Sequence, residues 1–129
     1  MSYLTVDDVI TVLRATGAPA DVRDVGLLAA AMARPRASAF GELAYPDAWQ
    51  QAAALLHSLT SSHPFVDGNK RAGWNAAWTF LEVNSVARLA ADFDVDAAEA
   101  LMLAVAGGHL ADVGEIATRL EECAESVVE

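Results

Sequence analysis

The sequence predicts an all-α domain of about six helices, and three observations carry that reading. Of its 129 residues 54% are hydrophobic, and Ala and Leu dominate them, a mix that suits helices better than sheets. Apolar residues return at three- and four-residue intervals through most of the chain. The stretches between these runs are short and carry the Gly, Pro and Ser that stop helices. The length is that of one ordinary domain, enough to close a core without metal or disulfide, and 1–129 is read as one unit.

The first helix starts behind Thr5, a capping residue with Asp8 three positions on. Val6, Val9, Ile10 and Leu13 form its apolar face, and Gly17 and Pro19 end it. A second, short helix is expected over 21–33, with Leu27, Leu28 and Ala31 facing inward. Arg34-Pro35-Arg36 breaks it, because a proline disfavours helix at the residue before it. Residues 34–46 follow no helical period and read as an ordered loop or small hairpin, a flap with Gly41 at its turn. So long a connection is often functional. Pro46 and Asp47 open a third helix with Ala52, Leu55, Leu56 and Leu59 as its buried stripe. Ser61, Ser62, His63 and Pro64 stop it. A fourth helix over 69–84 is apolar on most sides, with Trp74, Ala77, Trp78 and Leu81 on one face, the pattern of a helix at the centre of a bundle. The last two are placed at 95–106 and 112–124, separated by Gly107 and Gly108, with a frayed tail over 125–129.

Charge and targeting narrow the function. Residues 1–71 are nearly balanced at a net of −1, whereas residues 72–129 carry a net of −9. So acidic a surface repels nucleic acid backbones, and direct DNA binding is not expected. No apolar run approaches the roughly 18 residues that read as a membrane span, and the N-terminus lacks the basic-then-apolar pattern of a secretory signal. A cytoplasmic location is expected. The single cysteine, Cys123, permits no internal disulfide and reads as a packed thiol.

The chemistry is concentrated in residues 63–71, His-Pro-Phe-Val-Asp-Gly-Asn-Lys-Arg. A loop holding His63 and Asp67 runs into Gly68, Asn69 and a helix start. The first turn of a helix presents free backbone N–H groups and the positive end of its dipole, which together attract anions. Gly68 lets a ligand approach the backbone. Lys70, the only lysine in the chain, and Arg71 add two positive charges to that turn, where each is unfavourable by roughly 0.3–1 kcal/mol unless a polyanion is bound. Asp67 suits a Mg²⁺ ion that shares its shell with phosphate oxygens. His63 is of the residue type most often used to take a proton from a hydroxyl at neutral pH. A base, a metal ligand and a phosphate cradle describe phosphoryl-type transfer.

The segment resembles the signature of the Fic/Doc family, H-x-F-x-[DE]-x-N-[GK]-R, and meets every fixed position through His63, Phe65, Asp67, Asn69, Lys70 and Arg71. The stretch from Asp24 to Leu28, residues 33–36 and Tyr45-Pro46 look like Doc-type sequences as well. The resemblance implies an ATP- and Mg²⁺-dependent enzyme with His63 as general base, Phe65 as the residue anchoring the loop in the core and Asp67 as the metal-linked carboxylate. Gly68 and Asn69 would then form the anion cradle, and Lys70 and Arg71 would be the phosphate-binding cations. It further implies that Asn75 is a nucleotide-site residue, that 34–46 clamp an extended target segment, and that a partner antitoxin blocks the site. Where AMP-transferring relatives have Gly and a second Arg, this chain has Lys70 and Trp74. Both departures are similar to Doc, which implies transfer of the terminal phosphate to a protein hydroxyl, with elongation factor Tu as target. AMP transfer and a binding-only role are the alternatives.

Other residues have plainer readings. His57 lies among apolar helix neighbours and is expected to be packed or hydrogen-bonded, and His109 is expected in a turn. Trp49, Trp74 and Trp78 are expected in the core. Arg34 and Arg36 are divided evenly between contact with a target or antitoxin and simple solvation.

Overall fold

A computed structural model describes residues 1–125; the expected fraying of the tail falls, beyond Glu125, outside the described residues. Six α-helices and one two-stranded hairpin make up the fold, in the order α1 (Val6–Ala15), α2 (Val25–Ala33), β1 (Ser38–Ala39), β2 (Glu42–Leu43), α3 (Ala48–Ser62), α4 (Asn69–Val83), α5 (Val95–Ala106) and α6 (Val113–Glu122). The all-α expectation holds. Among the described residues no helix is long and apolar enough to cross a membrane.

Local chemistry sets most of the boundaries. Thr5 and Asp8 form a reciprocal capping box at the start of α1, each side chain bonding the other's backbone N–H. Asp24, Asp47, Asp94 and Asp112 each accept an N–H from the first turn of α2, α3, α5 and α6. Two expected starts shift as a result. α3 begins at Ala48, with Pro46 ahead of the cap rather than inside the helix. α2 begins at Val25 rather than at 21, because the backbone of 21–24 bonds to the loop after α3. Tertiary hydrogen bonds there outweigh the local helical pattern.

α3 is the hub of the bundle. It packs most extensively on α4 and also meets α2, α5 and α6. Leu55, Leu56 and Leu59 of α3 are buried together with Phe80 and Leu81 of α4, Leu101 of α5 and Ile116 and Leu120 of α6. Trp78 is buried, while Trp49 and Trp74 sit at the edge of the core and meet its ring edge-on. Cys123 is buried, and burial, followed by the charges of Glu122 and Asp94, pushes its thiol up, which keeps it protonated and inert at neutral pH.

At the crossing of α3 and α4 the backbones come close. A Cβ placed on Gly73 would run into the Thr60 hydroxyl and stand 3.0 Å from the Leu56 carbonyl oxygen. Replacing a mid-helix glycine by alanine gains up to about 1 kcal/mol in propensity. Forcing a methyl into a packed crossing costs about 1–3 kcal/mol. Gly73→Ala is therefore expected to be neutral to destabilising, by up to about 2 kcal/mol in urea unfolding; a gain in stability would show that the crossing has slack.

Candidate active site

The site is assembled where α3 hands the chain to α4. His63 caps α3 in the left-handed conformation, at φ 52° and ψ 56°. A non-glycine residue in that region costs roughly 1–2 kcal/mol, so its surroundings have to hold it there. They do so on two sides. The Arg23 guanidinium donates from Nε to the His63 carbonyl at 2.7 Å and from Nη2 to the Ser62 carbonyl at 3.1 Å. The backbone of 21–24 lies antiparallel to the loop: the N–H groups of Arg23 and Asp24 both donate to the Pro64 carbonyl, and the Val66 N–H donates to the Asp21 carbonyl. With its backbone fixed, the His63 side chain is exposed.

Phe65 is buried and anchors the loop, as expected. The Asn69 side chain completes the anchor, because its Oδ1 accepts the Phe65 N–H at 2.9 Å and its Nδ2 donates to the Phe65 carbonyl at 3.0 Å. One Nδ2 hydrogen and the Oδ1 are thus engaged on the loop, and Asn69 keeps its backbone N–H and the second amide hydrogen without a protein acceptor among the described residues. Gly68 stands at the helix cap with φ 82°, which glycine adopts without strain, and it rests against Leu13 of α1. Asp67 accepts the Gly68 N–H on Oδ1, leaving Oδ2 free.

The other capped helices begin on an aspartate or threonine side chain, whereas α4 has no side-chain cap. Its first N–H groups, on Asn69, Lys70 and Arg71, find no protein acceptor among the described residues. Lys70 and Arg71 are exposed and make no ion pair among the described residues. These groups, with His63, Asp67 and Ala106 at the end of α5, border a cavity of about 610 Å³, within the range of small-molecule sites. Asn75 is not among the residues bordering it; its amide donates to the Arg71 carbonyl one turn back. Trp74 packs between Trp78, which it meets edge-on, and the tilted ring of Phe93, and so belongs to the aromatic edge of the core.

The flap is a real hairpin. Ser38 faces Leu43 and Ala39 faces Glu42, and positive φ at Phe40 and Gly41 closes a two-residue turn. Arg34 is half-buried. It turns inward from a 3-10 turn at Arg34–Arg36 and bonds Tyr45 Oη, Ser58 Oγ and His57 Nδ1. Arg36 is exposed. Sequence reasoning missed two contributors to the site. Arg23 was hidden because 21–24 look helical in isolation, although Asp24 is as good a cap as Asp21. Ala106 carries no chemical signal of its own.

A histidine, a carboxylate oxygen, an uncapped helix N-terminus and two cations without an ion pair among the described residues thus surround one cavity of the helical bundle. The chain belongs to the Fic/Doc family: the model described as Fic/DOC family matches residues 3–81. It is also 58% identical over 105 residues to Toxin Doc of Mycolicibacterium smegmatis, across 81% of this chain and 80% of that protein.

The Arg34–His57 contact has a consequence for pH. A guanidinium only donates, so His57 Nδ1 accepts and the ring is neutral in this arrangement. Burial first, and the Arg34 charge second, hold the imidazole below its ordinary value of 6.5. The unfolded chain therefore binds this proton at higher pH than the folded chain does. Above pH 6.5 neither state is protonated and His57 contributes nothing to the pH dependence. Between 6.5 and the folded value stability falls with falling pH, and below the folded value the full penalty stands. Urea unfolding should lose stability as pH drops below 6.5, and His57→Gln should flatten that slope; identical slopes in the two proteins would show that the contact carries no linkage.

Proposed function

We propose that the chain is the toxin of a Doc-type toxin–antitoxin pair, a protein-modifying enzyme that transfers the terminal phosphate of ATP to a Ser or Thr hydroxyl of a cytoplasmic protein, with elongation factor Tu as the target. The observation that carries this reading is the uncapped start of α4, with its free N–H groups and the unpaired Lys70 and Arg71, facing the same cavity as His63 and Asp67. Its similarity to Toxin Doc supports the toxin role and, with it, an antitoxin partner.

In this mechanism the ATP phosphates lie against the N–H groups of Asn69, Lys70 and Arg71. The two side-chain charges, unfavourable in the free protein, become neutralising partners for the polyphosphate. His63 accepts the proton of the target hydroxyl. The hydroxyl oxygen bonds to the terminal phosphorus, the bond from that phosphorus to the bridging oxygen breaks, and ADP leaves. Mg²⁺ fits this donor set in one way. Among the described residues no three His, Cys, Asp or Glu side chains converge on a metal position, so the protein offers a single carboxylate, Asp67 Oδ2. Mg²⁺ commonly takes one or two carboxylates and completes its shell with phosphate oxygens and water. When bound there, it would neutralise charge on the phosphates.

The position of Trp74 in the aromatic edge favours terminal-phosphate transfer over AMP transfer, since that turn of α4 offers no second guanidinium to a phosphate. The hairpin supports target binding. β1 and β2 pair only with each other, so the outer edges keep free N–H and C=O groups for an added strand.

Label transfer to purified elongation factor Tu tests the proposal. Label from the gamma phosphate is expected on the target, and His63→Ala should reduce it by roughly 10²–10⁴-fold without moving the unfolding midpoint. Alpha-phosphate label would replace the kinase reading with AMP transfer. Transfer unchanged in His63→Ala would remove His63 from the chemistry. Lys70→Ala should weaken nucleotide binding by about ten- to a hundredfold in a titration, the value of a charge-assisted contact; unaltered affinity would show that Lys70 is solvated.

A further inference from the structure

Arg23 lies outside the motif and was legible neither from spacing nor from charge, yet it is the side chain that grips the residue at the centre of the chemistry. Its Nε donates to the carbonyl of His63 and its Nη2 to the carbonyl of Ser62. These are the last acceptors of α3, where helix geometry leaves carbonyls without intrahelical donors and where the dipole favours a cation. The Arg23 backbone is itself fixed, its N–H donating to the Pro64 carbonyl at 2.8 Å, with Asp24 N–H on the same oxygen at 3.0 Å. The guanidinium therefore acts from a segment already docked on the loop, and spans from that segment to the end of α3. Between its two attachment points, Pro64 on one side and Ser62 and His63 on the other, sits the one non-glycine residue of the site in the left-handed region.

We infer that Arg23 is a positioning residue for His63. It holds the His63 peptide in the left-handed conformation and thereby aims the imidazole into the cavity, without touching substrate itself. The planar fork suits the task, because two donors on two successive carbonyls fix orientation as well as distance, which a single ammonium cannot do. Released from Arg23, His63 is free to relax toward the extended region that a residue before proline prefers, and the imidazole swings with its backbone while the Asn69 clamp keeps Phe65 and the start of α4 in place.

The inference deepens the proposed phosphate transfer and rests on it for its kinetic arm, so the test has a second arm that does not. In steady-state transfer, Arg23→Ala should lower kcat by about 100-fold, the scale of a misplacement of roughly 1 Å, with the KM for ATP changed less than threefold. Arg23→Lys, which keeps the cation but grips only one carbonyl, should recover part of that loss. In the second arm the His63 ring carbon–proton signals are followed by NMR in the wild-type chain and in both variants. They should move and broaden in Arg23→Ala and lie between the two in Arg23→Lys, while the Phe65 and Asn69 amide signals stay put. Wild-type kcat in Arg23→Ala, or a loss proportional only to the unfolded fraction, would overturn the positioning role. So would an unchanged His63 ring signal, a result that counts even if the wild-type chain transfers no phosphate and the proposed activity fails on its own. Should Arg23→Ala not fold, the same comparison between wild type and Arg23→Lys decides.

Discussion

The Asn69 side chain closes both backbone groups of Phe65, and the rest of the site depends on that pair of hydrogen bonds. An asparagine amide has one end that accepts and one that donates. Set at the first residue of α4, it can satisfy a buried peptide N–H and a buried C=O four residues earlier in a single arrangement. The consequence is geometric. The loop is folded back on the helix start, Phe65 is held in the core, and the cap position falls to Gly68, which has no side chain to close α4. The first N–H groups of α4 are left to whatever anion arrives.

The remaining contacts fit around this constraint. Gly68 adopts a positive φ so that the chain can turn from loop to helix, and lies close enough to Leu13 that α1 forms the floor beneath the turn. Behind the loop, 21–24 supply the strand that an unpaired segment of backbone requires. α3 and α4, which carry the two ends of the site, are pressed together at Gly73, so the separation between His63 and the start of α4 is set by core packing rather than by the loop alone. Two features of the site are unfavourable in themselves: the left-handed backbone of His63, which Arg23 and 21–24 hold in place, and two cations at the positive end of a helix.

Much of this was legible in the sequence because it depends on short-range chemistry. Aspartates and a threonine at helix starts, apolar stripes at helical spacing, and Gly68 before Asn69 act within a few residues of themselves, and α5 falls at the boundaries its pattern predicts. What could not be read depends on partners far away in the chain. Residues 21–24 carry a helical pattern but spend their backbone groups on residues 64–66, some forty positions on. Arg34 looks like a surface cation beside a proline, yet it is drawn inward by Tyr45, His57 and Ser58.

The anion cradle proposed at the start of α4 has a direct spectroscopic consequence. The amide signals of the folded chain can be followed while a non-hydrolysable ATP analogue is added with Mg²⁺. If the cradle is built as described, the backbone amides of Asn69, Lys70 and Arg71 shift together along one saturable curve. The Asn69 side-chain amide, already committed to Phe65, stays where it is. Saturable binding that leaves those three backbone amides unmoved, or that displaces the Asn69 side chain as far as them, would contradict it.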